Sequence, residues 1–164
     1  TFVYDPDEDA WHNRESYQLG YWRASCYEQI FGINIVGDSE SNKLGQLDRH
    51  VYQEYGGYWV ARRVSGVFAA KNKLVSANRL ELTFPSGQVP QGITHQARLR
   101  WSDNKGLTYG NSMIKEIGTA GAGNQRLVWW SMGSFRQRTY ELSISTAANR
   151  DLIDEDFQYE VGGL

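Results

Sequence analysis

Carboxylates are the residues of this 164-residue chain best suited to chemistry. Asp154, Glu155 and Asp156 follow one another, and two acids flanking a glycosidic bond can serve as acid and base. Such a pair need be adjacent only in space, so a glycosidase arrangement stays open. These three, however, read as part of a polar segment rather than as strand ends facing a pocket. Asp5, Asp7, Glu8 and Asp9 crowd one turn and offer oxygens to a calcium ion. They lack EF-hand spacing, and a solvated hairpin tip is the simpler reading. His12, His50 and His95 lie far apart with no ligand spacing, and each is expected at a surface or a turn. The run Gly118 to Gly123 looks superficially like a nucleotide loop. The segment after it, Arg126 to Trp130, reads as a strand, so the helix N-terminus that would hold phosphate is missing. No Ser or Cys stands in a nucleophile motif. No catalytic residue, metal ligand or cofactor site is assigned.

The arginines are of more interest. Arg98 and Arg100 share a strand face at i,i+2, as do Arg136 and Arg138, and Arg62, Arg63 and Arg126 add to them. Two readings compete: a solvated face paired with acids, or contacts to a protein partner or DNA. With 17 Lys and Arg against 19 Asp and Glu, the net charge of −2 supplies no global basic field. Neither sequence-specific nucleic-acid binding nor membrane association is expected, and no stretch approaches transmembrane length. One cysteine, Cys26, excludes an internal disulfide and a Cys-based zinc site. Its alternating surroundings suggest a small buried hydrophobe.

The stretch that must position these groups is Ala97 to Ser145. Leu99 and Trp101 alternate with Arg98, Arg100 and Ser102, and the run breaks at Asp103-Asn104-Lys105-Gly106. Met113 to Ile117, Arg126 to Met132 and Thr139 to Ser145 follow as further half-buried strands. Trp101, Trp129 and Tyr140 are predicted to face inward. Within this stretch, Ser102, Asn104, Gly106, Thr108 and Tyr109 resemble the Asp-box, Ser-x-Asp-x-Gly-x-Thr-Trp. Asn104 stands for the Asp and Tyr109 for the Trp. A short side chain able to bond the turn backbone and a covering aromatic are both kept. The box occurs in sialidases, but there it is a structural turn remote from the active site, and the structural reading is preferred here.

Taken in order, Phe2 to Tyr4 reads as a strand, Asp5 to Asp9 as a turn and Trp11 to Arg14 as the returning partner. Tyr21 to Tyr27, Phe31 to Val36 and Lys43 to Leu47 are the next strands. A polar, glycine-bearing crossing at Val51 to Gly57 marks the best domain boundary. Tyr58 to Phe68 and Asn78 to Phe84 open a second unit, Pro85-Ser86-Gly87 through Gly92 forms a loop, and Phe157 to Val161 closes it. The fold class is all-β: the terminal blade or blades of a β-propeller over 1–57, then an antiparallel β-sandwich over 58–164. Because Phe2-Val3-Tyr4 already reads as a strand in progress, the chain is expected to be the C-terminal portion of a longer protein.

The order of these features resembles a family, the packaged-DNA stabilisation proteins of short-tailed bacteriophages, also called tail accessory or head-completion proteins. The likeness rests on Val3-Tyr4-Asp5 with Trp11, Phe31 through Asp38, Gly45 to Asp48 and Tyr52 to Tyr55. It continues through the hairpin Trp101 to Gly110 and the run Arg126 to Trp130 with Met132, Gly133 and Arg136. The resemblance implies a structural, non-enzymatic virion protein, assembled in the host cytoplasm. It would form a six-fold ring below the portal and its adaptor, help to retain packaged DNA, and carry the tail needle and fibres or spikes. Arg98, Arg100, Arg136 and Arg138 are then candidate subunit or adaptor contacts. The alternative is a carbohydrate-binding or glycoside-hydrolase-like propeller and sandwich module. A concavity combining exposed aromatics with carboxylates would favour it.

Overall fold

Short alternating runs separated by Gly, Asn and Asp produce strands throughout, and no residue is helical among those described. A computed structural model describes residues 1–164 except 8, 58, 86–88 and 163–164. Glu8 of the acidic turn, Tyr58 at the expected start of the second unit and Ser86-Gly87 of the loop lie outside the described residues. The chain divides into two compact units, Thr1–Trp59 and Val60–Leu164.

The first unit opens with a hairpin of β1 (Phe2–Asp5) and β2 (Ala10–Asn13), in which Tyr4 lies opposite Trp11 with ring centroids 5.2 Å apart. Asp5 accepts the Asp7 amide at 2.9 Å and Tyr4 donates to Asp9 at 2.7 Å, so the acidic turn is tied locally. A meander of β3 (Ala24–Ile30), β4 (Ile33–Asp38) and β5 (Leu44–Gln46) follows. The first two strands lie three and two residues later than alternation predicts. The reason is the turn: Phe31 and Gly32 take φ of 51° and 77°, the two-residue hairpin geometry that needs positive φ twice. Phe31 therefore leaves the ladder and is 99 % exposed.

The centre of this unit is an ion pair rather than an apolar core. Val36, Ser16 and Asp38 are its buried residues among those described. Arg23 donates Nε to Asp38 Oδ1 at 2.6 Å and a second N–H to Oδ2, and it lies 4.7 Å over the Tyr55 ring. The Ser41 hydroxyl and Glu40 amide also donate to Asp38, and with Arg23 they hold its carboxyl well below the usual range. Cys26 is exposed, contrary to expectation. A bulge between Ala24 and Cys26 shifts the register and sets its Sγ over Gly37, where an added Cβ would sit 2.5 Å away.

The second unit is a two-layer antiparallel sandwich. One sheet runs β10 (Met113–Gly118), β9 (His95–Ser102), β13 (Gln137–Ile144), β6 (Ala61–Val64), with β7 (Phe68–Ala69) also on β13. The other is built on β8 (Val75–Phe84), which pairs with β11 (Gln125–Trp130), β12 (Ser134–Phe135) and β14 (Asp154–Val161). Alternation predicts a single strand over Tyr58 to Phe68, but Ser65 to Val67 interrupts it. Alternate residues of both sheets meet in one core, with Val75, Leu82 and Phe84 against Ala97, Leu99 and Ile144, and Trp129 fully enclosed. Trp129 is therefore the inward residue of its pair and Trp130 the outward one, as the alternation predicts.

Candidate functional site

The break after β9 folds into a hairpin whose side chains replace a ladder. Ser102 Oγ accepts the amides of Gly106 at 2.9 Å and Asn104 at 3.3 Å, and donates to Asn104 Oδ1 at 2.7 Å. Asn104 Oδ1 also accepts the Thr108 amide at 2.9 Å, and its Nδ2 donates to Thr108 Oγ1 at 2.7 Å. Lys105 and Gly106 take φ of 61° and 85°, which the turn requires and glycine supplies without strain. Tyr109 folds over Gly106 and stacks with the Arg100 guanidinium 4.6 Å from its ring. Asn104 and Tyr109 stand in this turn at the positions where the Asp-box has Asp and Trp.

Arg138 anchors this hairpin from below. It is only 3 % exposed and does not share a solvated face with Arg136. Its Nη1 donates to the Met132 carbonyl at 2.6 Å, and its plane lies 4.3 Å from the Phe135 centroid and 5.0 Å from that of Trp101. Asp103 accepts from its Nε and Nη2. The expected shared face with Arg136 fails because Arg138 alternates with Tyr140 and Leu142, which point into the sandwich with it. Arg136 sits between β12 and β13 and donates to the Asn72 carbonyl. With Ala69, Asn72, Asp103 and Gln137 it lines an open depression.

Arg98 and Arg100 do share the outer face of β9. Arg100 is bound to Glu141 at 2.7 Å, and that carboxylate is almost wholly covered. Arg98 has no ion pair among the described residues. Sequence reasoning missed Glu141 and Asp103 as the acids that organise these arginines, since each lies 35 or more positions from its partner. Near neutrality overall also hides a division. Residues 1–59 carry four Lys and Arg against ten Asp and Glu, and residues 60–164 carry thirteen against nine.

The remaining candidates do not converge. Asp154, Glu155 and Asp156 open the exposed strand β14, at a strand end contrary to expectation, and Asp156 is paired with Arg79 at 2.7 Å. His95 is buried rather than at the surface, and neither ring nitrogen has a hydrogen-bond partner among the described residues. Burial, and secondarily the charge of Arg150, push its pKa down. Among the described residues no group of three or more His, Cys, Asp or Glu is arranged to hold a metal ion.

Residues 61–154 match the family described as Bacteriophage P22 Gp10, beta-sandwich. No curated protein matches the chain.

Proposed function

The chain belongs to the bacteriophage P22 Gp10 beta-sandwich family, and from that membership we propose that it is a structural, non-enzymatic component of the virion of a short-tailed phage. In this reading it joins the portal–adaptor complex to the tail and helps to retain packaged DNA, as one subunit of a closed, six-fold ring. The tail needle and fibre proteins are its other neighbours. The observation that carries the reading is the match over 61–154, which takes in the sandwich from β6 to the first residue of β14.

Two features support it. The β1–β2 hairpin and the β3–β5 meander suit the blades of a β-propeller over 1–57, ahead of a sandwich over 58–164. Phe2, Trp11, Phe31 and Leu44 are largely exposed in that first unit, a surface suited to a permanently assembled protein. Arg98, Arg100 and Arg136 remain the candidate contacts to neighbouring subunits or the adaptor, whereas Arg138 is committed internally.

The test is assembly in vitro. DNA-filled heads that carry the adaptor but lack this protein are incubated with it, sedimented, and treated with nuclease. Co-sedimentation with DNA protected from nuclease is the expected result. Failure to bind adaptor-bearing heads under any condition would remove the reading.

A further inference from the structure

We propose that the sandwich meets a second copy of itself head to tail. The arginine-bearing outer face of the β10-β9-β13-β6 sheet receives the acidic outer side of β14 from the next copy. The proposal deepens the ring reading, on which it rests, by naming the two surfaces through which neighbours would meet.

Register defines the first surface. Ile114, Arg98, Ser143 and Arg62 lie directly opposite one another in one row across β10, β9, β13 and β6. The next row holds Arg100, Glu141 and Val64. Cross-strand neighbours point to the same side, and Leu99, Leu142 and Ile144 face the core, so both rows face outward. Ile114 and Val64 are 53 % and 47 % exposed at the two margins. The face therefore has Arg98 and Arg62 on either side of a small residue, Ser143, with the Arg100–Glu141 pair beside them, apolar shoulders, and one acid, Glu116, on the β10 margin.

The second surface is an open strand edge. β14 pairs with β8 along one side, and no strand covers its other side among the described residues. Its register with β8 turns Asp154, Asp156 and Glu160 outward, opposite Thr83, Glu81 and Ser76. The two surfaces belong to different sheets of the sandwich, so one charge pattern complements another on the same chain. A contact between two different patches repeats from copy to copy, and a ring is its closed form. Complementary charge fixes its orientation and excludes the reversed pairing. A polyanion such as nucleic acid fits the arginine face less well. The Glu141 carboxylate lies within the patch, and the shoulders are apolar rather than basic.

The experiment is a charge exchange on the full chain, followed by sedimentation equilibrium across a range of concentration and salt. One variant carries Arg62→Glu and Arg98→Glu, the other Asp154→Arg and Glu160→Arg. The unaltered chain should self-associate, more weakly as salt rises. Each variant alone should associate about tenfold or more weakly, because like charges then face each other. An equimolar mixture of the two should regain association, since every contact is again between opposite charges. Variants that associate like the unaltered chain would overturn this contact while leaving the ring reading in place. A mixture that stays dissociated, although both variants keep their circular dichroism spectrum, would overturn it equally. An unaltered chain that stays monomeric at every concentration would overturn this contact, while the ring reading stands or falls on binding to adaptor-bearing heads. Oligonucleotide binding abolished by the arginine reversals, without self-association, would assign the face to nucleic acid instead.

Discussion

Arg138 grips Asp103 at two points, Nε to Oδ1 at 2.6 Å and Nη2 to Oδ2 at 2.9 Å, and so fastens the Ser102–Tyr109 hairpin to β13. The guanidinium is enclosed while the carboxylate is half-exposed. Removal of the carboxylate therefore strands a buried cation, whereas removal of both partners leaves no unpaired charge and deprives only the Met132 carbonyl of a donor. Asp103→Ala should cost about 2–4 kcal/mol, the lower end reflecting the solvent that reaches the acid. The double variant Asp103→Ala, Arg138→Met should recover part of that loss. A double-mutant cycle by urea denaturation reads the coupling, and strictly additive losses would show that the pair acts independently.

The hairpin itself depends on one hydroxyl. Ser102 Oγ serves two amides and one amide oxygen in a site that is closed to water. Ser102→Ala leaves those groups short of partners and should destabilise the sandwich by about 1–3 kcal/mol. Thr108→Val, at an exposed position, should cost less. Equal effects at the two positions would mean that Asn104, and not Ser102, carries the turn.

Trp129 and Trp130 give a direct reading of sheet orientation. Trp129 is fully buried in the core, and Trp130 lies outside with the Arg79 guanidinium 5.4 Å from its ring. Trp129→Ala should cost about 3–5 kcal/mol as a large-to-small core change. Trp130→Ala should cost about 0.5–1 kcal/mol, the worth of an exposed cation–π contact. The reverse order in chemical denaturation would turn β11 over.

Much of this was legible in the sequence, for identifiable reasons. Period-two alternation located the sandwich strands, because one face of each sheet is dry and the other wet. It failed at Phe31, where a bulky residue occupies a positive-φ turn position that normally draws Asn or Gly. It failed again at Arg138, since a charged residue at an inward position breaks the rule that polar side chains face water. Only the tertiary structure supplies the acid and aromatic rings that make that burial tolerable. Cys26 misled for a third reason. Alternation assumes a covered face, and the β3 face is open to solvent.

His95 makes stability depend on pH. Its folded pKa lies below the ordinary value of 6.5, first through burial and then through Arg150. The unfolded chain thus binds the proton more readily, so stability is fully present above pH ~6.5 and declines as pH falls through the window below it. Denaturation midpoints compared at pH 7.5 and pH 5 should show this loss. His95→Phe should flatten that part of the profile, even if its own packing changes the stability at neutral pH. An unchanged slope would place the acid-sensitive group elsewhere.

The two units should also differ in how they unfold. The sandwich has a continuous core from Val75 to Ile144, whereas Thr1–Trp59 relies on the Arg23–Asp38 pair with Val36 as its buried hydrophobe. Burial of apolar area is the main favourable term in folding, and an ion pair is a poor substitute for it. A fragment spanning 60–164 should therefore unfold cooperatively in urea. A fragment spanning 1–59 should show a broad transition with a small m-value, because it has little surface to expose. Asp38→Asn should abolish whatever structure that fragment keeps, as it removes the charge that Arg23, Ser41 and the Glu40 amide all address. If the 1–59 fragment instead folds with a steep transition, its exposed rings must pack on one another in solution. The first unit would then need no neighbour to stabilise it.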